Sequence, residues 1–453
     1  MVKFLRIVAW LVVIGIVALL AFIFIPPVPT KPTEDLAADW QPEPGHGKDV
    51  FNAGDCVACH TAPDGPELAG GRAIASPMGT IWSTNITPDK ETGIGNWTLD
   101  QFRAAMVDGV APGGEHLYPA MPYENYRLLE ERDIRALYQY LMTEVPPVRN
   151  EVQETKLSFP FNMRFGIRAW NWLALRHGPG FTPANTDTVQ ARGQYLIEAA
   201  GHCAACHSPR NALMMQDGVT AHESSFLSGG VIDGWNAPAL LGDGSDLKTW
   251  SAEDLATYLT TGRNSHSTAN GEMGLVVEHS LQHLSDADIL AMTSFLKGET
   301  VPDTTPIAPA GPIAHPNMDA NAKGKTTADL LTAADPSLPL GAQLYLDNCS
   351  ACHFVTGRGA DGIFPALQDN SLVLGSEVKP LLSIILNGAT VAGTENRPMN
   401  LVMQGYADRL TDGEVAELAT FLRSAWGNDA PAITADQVAT VRSDTSAEAA
   451  PSH

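Results

Sequence analysis

The chain has 453 residues, six cysteines and a formal net charge of −23, from 28 basic and 51 acidic side chains. At about 150 residues per domain, this length suggests three domains. An apolar content of 44% with 17% charged residues can form buried cores, which excludes global disorder. The acidic balance argues against nucleic-acid binding, because that needs a basic surface to neutralise phosphates. Six cysteines are too few for a disulfide scaffold in a chain this long.

The N-terminal segment is apolar and long enough to cross a membrane. Residues 7–25 carry no charge over 19 positions. As a helix they would extend about 28 Å, close to the thickness of the hydrocarbon core. Lys3 and Arg6 precede them, which favours a cytoplasmic N-terminus and export of the rest. Two prolines follow where a signal-peptide cleavage site would need small residues, so an uncleaved anchor over residues 1–30 is favoured over a cleaved signal peptide.

Every cysteine lies in a C-x-x-C-H motif, and this motif occurs three times. Its two thiols add to the vinyl groups of a haem, and its His becomes the proximal iron ligand. Zinc ribbons place paired C-x-x-C motifs about 15–20 residues apart, and a thioredoxin-like pair does not need the His. Here the motifs are 147 and 146 residues apart. The sequence therefore predicts three covalently bound haem c groups, attached at Cys56, Cys59, Cys203, Cys206, Cys349 and Cys352, with His60, His207 and His353 on the iron atoms.

Helical patterns repeat around the three motifs with the same period. Short stretches that read as helices precede the motifs, at residues 47–51, 192–197 and 341–346. A helix with Thr98 or Ser251 as N-cap and a terminal Gly follows the first two motifs, and residues 376–388 form a degenerate third copy. A closing amphipathic helix, starting near Leu129, Leu284 and Leu410, completes each repeat.

These patterns predict an all-α protein of three tandem class I-type cytochrome c domains with long haem-wrapping loops, plus one N-terminal transmembrane helix. An aromatic and basic segment separates the first two domains, and packing between domains is favoured there over a docking surface. A Pro/Ala-rich linker and a disordered tail complete the chain. The predicted boundaries are 1–30 for the anchor, 40–145, 189–300 and 339–427 for the domains, 146–188 for the interdomain segment, 301–338 for the linker and 428–453 for the tail.

A methionine precedes the closing helix of each repeat, and a Met–His pair on the iron gives the raised potential of electron-transfer cytochromes. The predicted sixth ligands are Met121, Met273 and Met403, with Met78 competing at the first haem and Met399 at the third. The bis-His alternatives are His116, His266, His279 and His283. The backbone carbonyls of Pro238 and Pro365 are expected to accept the N–H of a proximal imidazole.

Four segments carry a resemblance to a known family, namely residues 79–95, 116–123, 201–211 and 424–428. Their sequences include GTIWSTNITPD, HLYPAMPY, GHCAACHSPRN and SAWGN. The chain resembles the triheme cytochrome c subunits of membrane-bound periplasmic dehydrogenases, over about residues 45–428. These subunits serve alcohol, gluconate, sugar and aldehyde dehydrogenases, and molybdenum hydroxylases that act on aldehydes or N-heterocycles. The resemblance also places Met121, Met273 and Met403 at the axial positions of the family.

The resemblance implies an electron-transfer subunit that is not itself the catalytic enzyme. It would relay electrons through three haems from a catalytic dehydrogenase subunit to ubiquinone, with an iron–sulfur or accessory subunit as a further partner and quinone reduction within the complex. The expected location is the inner membrane, with the haem domains in the periplasm. The retained anchor favours a molybdenum-dependent partner over an alcohol, gluconate or sugar dehydrogenase. The alternative from another class is a haem enzyme such as a c-type peroxidase.

Overall fold

A computed structural model describes residues 2–24, 27–184, 186–232, 234–307 and 322–448. The protein is predominantly helical, as the sequence predicts, and its strands are short. It divides into two compact units: Met1–Lys48 with Cys59–Phe181, and Asp49–Ala58 with Thr182–His453.

In the first part of the chain, helices alternate with irregular segments, and a long loop follows the first haem motif. Its helices are α1 Val2–Phe24, α2 His46–Ala53, α3 Cys56–His60, α4 Leu99–Asp108, α5 Tyr123–Tyr126, α6 Glu131–Thr143 and α7 Arg164–Ala174. Within α1, residues Lys3–Phe22 are long and apolar enough to cross a membrane. This segment coincides with the predicted anchor.

Helix α4 is capped at both ends and tied to α6. Thr98, the predicted N-cap, accepts from the backbone N–H of Gln101, and the side chain of Gln101 accepts from the backbone N–H of Thr98, which forms a capping box. The buried Arg103 on α4 donates from Nε to Oε2 of the buried Glu131 on α6 at 2.8 Å. This ion pair fixes the two helices on either side of the segment that carries Met121.

Helix α7 lies in the aromatic and basic segment and has two contrasting faces. Ile167, Asn171 and Ala174 are buried, and Asn171 Nδ2 donates to the carbonyl oxygen of Asp108 at 3.0 Å. On the other face, the side chain of Trp172 is 82% exposed. Several neighbouring aromatic side chains are also exposed, to a smaller extent. One face of the segment therefore packs within the first unit, and the other leaves aromatic side chains in solvent.

Helices also lie before, within and after the second haem motif. They are α8 Thr188–Tyr195, α9 Ala204–His207, α10 Ala252–Thr261, α11 Glu272–His279 and α12 Asp286–Lys297, with a π-helical turn at Leu196–Ala200. Ser251, the predicted N-cap, forms a capping box with Asp254 at the start of α10, and Gly262 ends the helix in the left-handed region, with φ of 69°.

The third motif lies among helices α13 Ala322–Ala333, α14 Leu340–Asn348, α15 Ser350–His353, α16 Ser371–Leu374, α17 Lys379–Asn387, α18 Asp412–Ser424 and α19 Ala435–Glu448. Their shared core includes the fully buried side chains of Tyr345, Leu382, Val415 and Trp426. Helix α17 corresponds to the degenerate copy that the sequence suggests.

In each repeat a glycine lets the helix before the motif pack against the closing helix. A Cβ at Gly47 would lie 2.4 Å from the carbonyl oxygen of Ala136 on α6. The corresponding distances are 1.9 Å from Gly193 to Ala291 on α12 and 2.3 Å from Gly341 to Glu417 on α18. Any side chain would separate these backbones, so the same close approach at a glycine occurs three times along the chain.

Two predicted irregular segments contain helices. Helix α13 lies in the predicted linker and buries Leu331, and residues 308–321 of that linker lie outside the described chain. The prediction of a disordered tail is wrong for Ala435–Glu448, which form α19 and bury Val438 and Val441 in the third core. These valines are three residues apart and so share a helix face, although the segment has little other apolar content.

Within the described residues, the loops contain three antiparallel two-stranded hairpins that the sequence does not predict. They are β1 Ala73–Ile74 with β2 Ile81–Trp82, β3 Gly230–Ile232 with β4 Trp235–Ala237, and β5 Gly388–Val391 with β6 Leu401–Gln404. The first two lead directly into the segments that contact the histidines of their motifs.

Candidate haem-binding sites

Each motif histidine forms a hydrogen bond from its ring to a backbone carbonyl. His207 Nδ1 lies 2.8 Å from the oxygen of Pro238, and His353 Nδ1 lies 3.0 Å from that of Pro365. Both contacts confirm the prediction for these two prolines. In the first motif, His60 Nδ1 lies 2.7 Å from the oxygen of Thr84.

The backbone carbonyl of each of these histidines accepts a hydrogen bond from a glycine. The N–H groups of Gly70, Gly229 and Gly359 donate to the carbonyls of His60, His207 and His353 at 2.7, 2.7 and 3.2 Å. All three glycines have positive φ, a conformation that other residues rarely adopt. A Cβ at Gly359 would lie 2.7 Å from the oxygen of Pro365, so glycine lets the acceptor segment approach. We call this arrangement of glycine, histidine and carbonyl the histidine clamp.

The clamp leaves one ring nitrogen of each histidine available for a metal. A carbonyl oxygen can only accept, so Nδ1 carries the proton and Nε2 keeps its lone pair. Burial lowers the pKa of His60, His207 and His353, and the hydrogen bonds to the carbonyls oppose this shift to a smaller extent. The imidazoles are therefore neutral at neutral pH, which is the state that binds iron. These residues fit the proximal position of a haem.

The thiols of the second and third motifs are suited to thioether bonds rather than to thiolate chemistry. Burial raises the pKa of both Cys203 and Cys349 to about 12, with a smaller contribution from the neighbouring cysteine of each motif. Burial also raises the pKa of Cys206. Reactive cysteines need thiolates and therefore a lowered pKa, so the environment of these cysteines argues against a redox disulfide. Among the described residues, no group of three or more His, Cys, Asp or Glu side chains could hold a metal ion, which argues against a zinc site.

The two candidate methionines of the third repeat have different surroundings. Met403 lies on β6, where Leu401 and Met403 face inward while Val402 and Gln404 face solvent. Met403 packs against the same apolar core as Cys349, whereas Met399 is 74% exposed. Met403 therefore lies on the inner face of the third repeat, as a ligand must. Met121, Met273 and Met78 are all half-buried, which leaves Met121 and Met78 as alternatives for the first haem.

The bis-His alternatives differ in their surroundings. The ring of His266 stacks on that of Trp250, with centroids 5.2 Å apart, and its Nε2 lies 3.5 Å from Oδ2 of Asp254. His279 is half-buried, whereas His283 is exposed and faces the exposed Glu395. His116 is 7% exposed, and its Nε2 has no hydrogen-bond partner in the part of the chain that is described. Of the four, His116 is the one with a buried and available nitrogen.

Sequence reasoning identifies the motif residues but misses Thr84 and the three clamp glycines. Thr84 follows His60 by 24 residues and is not a proline, so nothing marks it as equivalent to Pro238 or Pro365. The common feature is structural, because each acceptor lies just after a β-bridge or hairpin that the sequence does not predict.

The chain is similar to proteins of known role. The family model for cytochrome c matches residues 45–144 and 339–426, which contain the first and third motifs. Over 410 residues the chain is 40% identical to the gluconate 2-dehydrogenase cytochrome c subunit of Pantoea cypripedii, covering 89% of this chain and 90% of the relative. It is 38% identical over 389 residues to the cytochrome c subunit of alcohol dehydrogenase (quinone) from Gluconobacter oxydans, covering 85% and 79%. It is also 38% identical over 427 residues to the fructose dehydrogenase cytochrome subunit of Gluconobacter japonicus, covering 91% and 85%.

Proposed function

Because the chain belongs to the family of cytochrome c subunits of dehydrogenase complexes, we propose that it binds three haem c groups and carries electrons from a catalytic dehydrogenase subunit to ubiquinone. Like its relatives, the chain is an electron-transfer subunit rather than the catalytic one. The observation that carries the number three is the histidine clamp, which occurs at His60, His207 and His353.

The residues of each site have separate roles. The two cysteines of a motif would form thioether bonds to the haem, and the clamped histidine would supply Nε2 as an iron ligand. The hydrogen bond from Nδ1 to a carbonyl fixes the plane of the imidazole and increases its basicity. Met121, Met273 and Met403 are the proposed sixth ligands. When bound, the haem supplies reversible one-electron transfer, and the polypeptide sets its orientation and potential.

A peroxidase would instead need an open iron position with catalytic groups beside it. The inward orientation of Met403 and its place in the third core favour a six-coordinate haem. A high-spin ferric haem that turns over peroxide rapidly would contradict the electron-relay proposal.

A location at the periplasmic face of the inner membrane is supported by two features of the first unit. Helix α1 has the length and composition of a membrane span. The guanidinium of Arg168 on α7 lies over the ring of Phe22, near the end of that span, 4.7 Å from its centroid. The exposed aromatic face of α7 would then lie at the lipid headgroups, where aromatic rings are favoured. This location also places the chain beside the ubiquinone pool.

Two classes of catalytic partner are supported by different observations. The high coverage of the gluconate relative, 90% of its length, favours a gluconate, alcohol or sugar dehydrogenase. The apolar N-terminal helix favours a molybdenum-dependent oxidoreductase of aldehydes or N-heterocycles. In either complex, a small iron–sulfur or accessory subunit would complete the electron-transfer path from the catalytic subunit to the haem that is reduced first.

Purification of the native complex from membranes tests this proposal. The co-purifying large subunit identifies the partner class, and its substrate should reduce the haems anaerobically and then ubiquinone. N-terminal mass spectrometry of the same sample should find residues 7–25 in the mature chain. A soluble chain without these residues, or haems that no co-purifying subunit can reduce, would contradict the proposal.

A further inference from the structure

Two arginines lie together in the second unit without a carboxylate partner in the described chain. Arg263 is 5% exposed, and its Nη2 donates to the backbone oxygen of Arg397 at 3.3 Å. Its Nε is buried and has no hydrogen-bond partner. Arg397 is half-buried and donates from Nη1 to the backbone oxygen of Gly362 at 3.2 Å. At least one strong donor of this pair is thus left unused inside the protein.

The electrostatics of the pair are also incomplete. Burial lowers the pKa of Arg263, and the charge of Arg397 lowers it further. Burial also lowers the pKa of Arg397. No acidic side chain in the described chain offsets these effects, although a buried cation is costly unless it is paired.

Two other buried arginines have carboxylate or carbonyl partners for their guanidinium groups. Arg103 is paired with Glu131. Arg423 donates to the carbonyl oxygens of Pro431, Val373 and Gly375 at 2.7, 2.6 and 2.9 Å. Among the described residues, the pair formed by Arg263 and Arg397 has no comparable set of partners, which indicates that an anion completes it.

The pair contacts the loop that holds the third proximal histidine. The N–H of Gly362 donates to the carbonyl of Asn264, the residue after Arg263, at 3.1 Å. A Cβ at Gly362 would lie 2.1 Å from Nη1 of Arg397, so the glycine permits this close approach. Three residues later, Pro365 accepts the hydrogen bond from His353. The unused donors therefore lie beside the binding site of the third haem.

We propose that Arg263 and Arg397 bind a propionate carboxylate of the haem attached at Cys349 and Cys352. A haem carries two such carboxylates, and the guanidinium is well suited to bind a carboxylate through paired hydrogen bonds. Arg263 lies in the predicted second domain, so its contact links that domain to the third haem. This inference rests on the proposed presence of that haem.

The test measures the three haem potentials of the full chain by spectroelectrochemistry. A variant with Cys349→Ala and Cys352→Ala identifies the third haem as the signal that disappears. In Arg263→Met and Arg397→Met, the potential of that haem should fall while the other two stay unchanged, because a nearby cation stabilises the reduced state. Arg263→Lys keeps the charge and should restore most of the shift. Arg409→Met removes one exposed charge from the same domain and serves as the matched control.

The outcomes distinguish a failure of the proposed function from a failure of the propionate site alone. A wild-type chain with no third haem contradicts the proposed function itself. Three haems whose potentials are the same in Arg263→Met and wild type overturn the propionate site alone. A wild-type third potential that depends on added phosphate, with this dependence lost in Arg263→Met, also overturns it, because the anion would then be exchangeable.

Discussion

Nδ1 of His353 lies 3.0 Å from the carbonyl oxygen of Pro365, and the N–H of Gly359 donates to the carbonyl of the same histidine. The histidine is therefore held at its ring and at its backbone by a single loop. The same arrangement at His60 and His207 makes three equivalent sites, although the loops from histidine to acceptor span 24, 31 and 12 residues.

Replacing the clamp glycine should disturb the potential of the third haem. In Gly359→Ala the Cβ would lie 2.1 Å from the oxygen of Phe364 and force the acceptor segment away. The positive φ alone costs more than about 1 kcal/mol for alanine. Without the hydrogen bond from Nδ1 to Pro365, the imidazole of His353 is less basic and donates less electron density to the iron. The reduction potential of the third haem should therefore rise. Redox titration checks this, with Gly413→Ala as control, because no atom lies within 4 Å of its Cβ position. Equal potentials in the two variants would contradict the role of the clamp.

The two methionines of the third repeat should behave differently. Met403→Ala removes the thioether ligand and should lower the third potential by on the order of 0.1 V. Met399→Ala, at a side chain that is 74% exposed, should leave all three potentials unchanged. Redox titration with absorption spectra distinguishes the two, and a shift in Met399→Ala alone would reverse the assignment.

The buried ion pair between Arg103 and Glu131 should contribute more to the free energy of folding than the exposed pair between Arg103 and Asp100. Glu131→Gln leaves the buried Arg103 without its main counter-charge, which should destabilise the protein by about 3 kcal/mol. Asp100 also binds Arg103, but it is 87% exposed, so Asp100→Asn should cost less than about 1 kcal/mol. Denaturant unfolding compares the two variants. A loss of similar size in both would show that burial does not control the strength of the pair.

Glu198, near the second haem motif, should make stability depend on pH. Burial raises its pKa from 4.5 to about 7, against smaller opposing effects of the Ala221 N–H, Gln194 and His222. Glu223 adds a small upward shift. The unfolded chain ionises Glu198 first as the pH rises, so folding should lose up to about 3 kcal/mol between about pH 4.5 and 7. Thermal unfolding at pH 5 and at pH 8 should show a smaller loss of stability with rising pH in Glu198→Gln than in the wild type. An identical decrease in the variant would rule out Glu198 as its source.

The features of this structure that depend on local sequence could be predicted. The contacts of His207 with Pro238 and of His353 with Pro365 are examples, because both prolines stand in a Pro-Ala-Leu segment after their motif. The capping boxes of α4 and α10 are local, so their residues are recognisable in sequence. The packing of α19 was missed because two valines and tertiary contacts, rather than local preference, stabilise that helix. The pair of Arg263 and Arg397 depends on two segments more than 130 residues apart, which no local pattern brings together.

The most direct test of the central claim is the intact mass of the purified chain. Three haem c groups should add the mass of three haems, held by bonds that survive denaturation. A variant with Cys203→Ala and Cys206→Ala should retain two, and it is the sharpest choice because the second motif lies outside the stretches that the cytochrome c family model matches. A wild-type mass with fewer than three haems, or a variant that still carries three, would contradict the account.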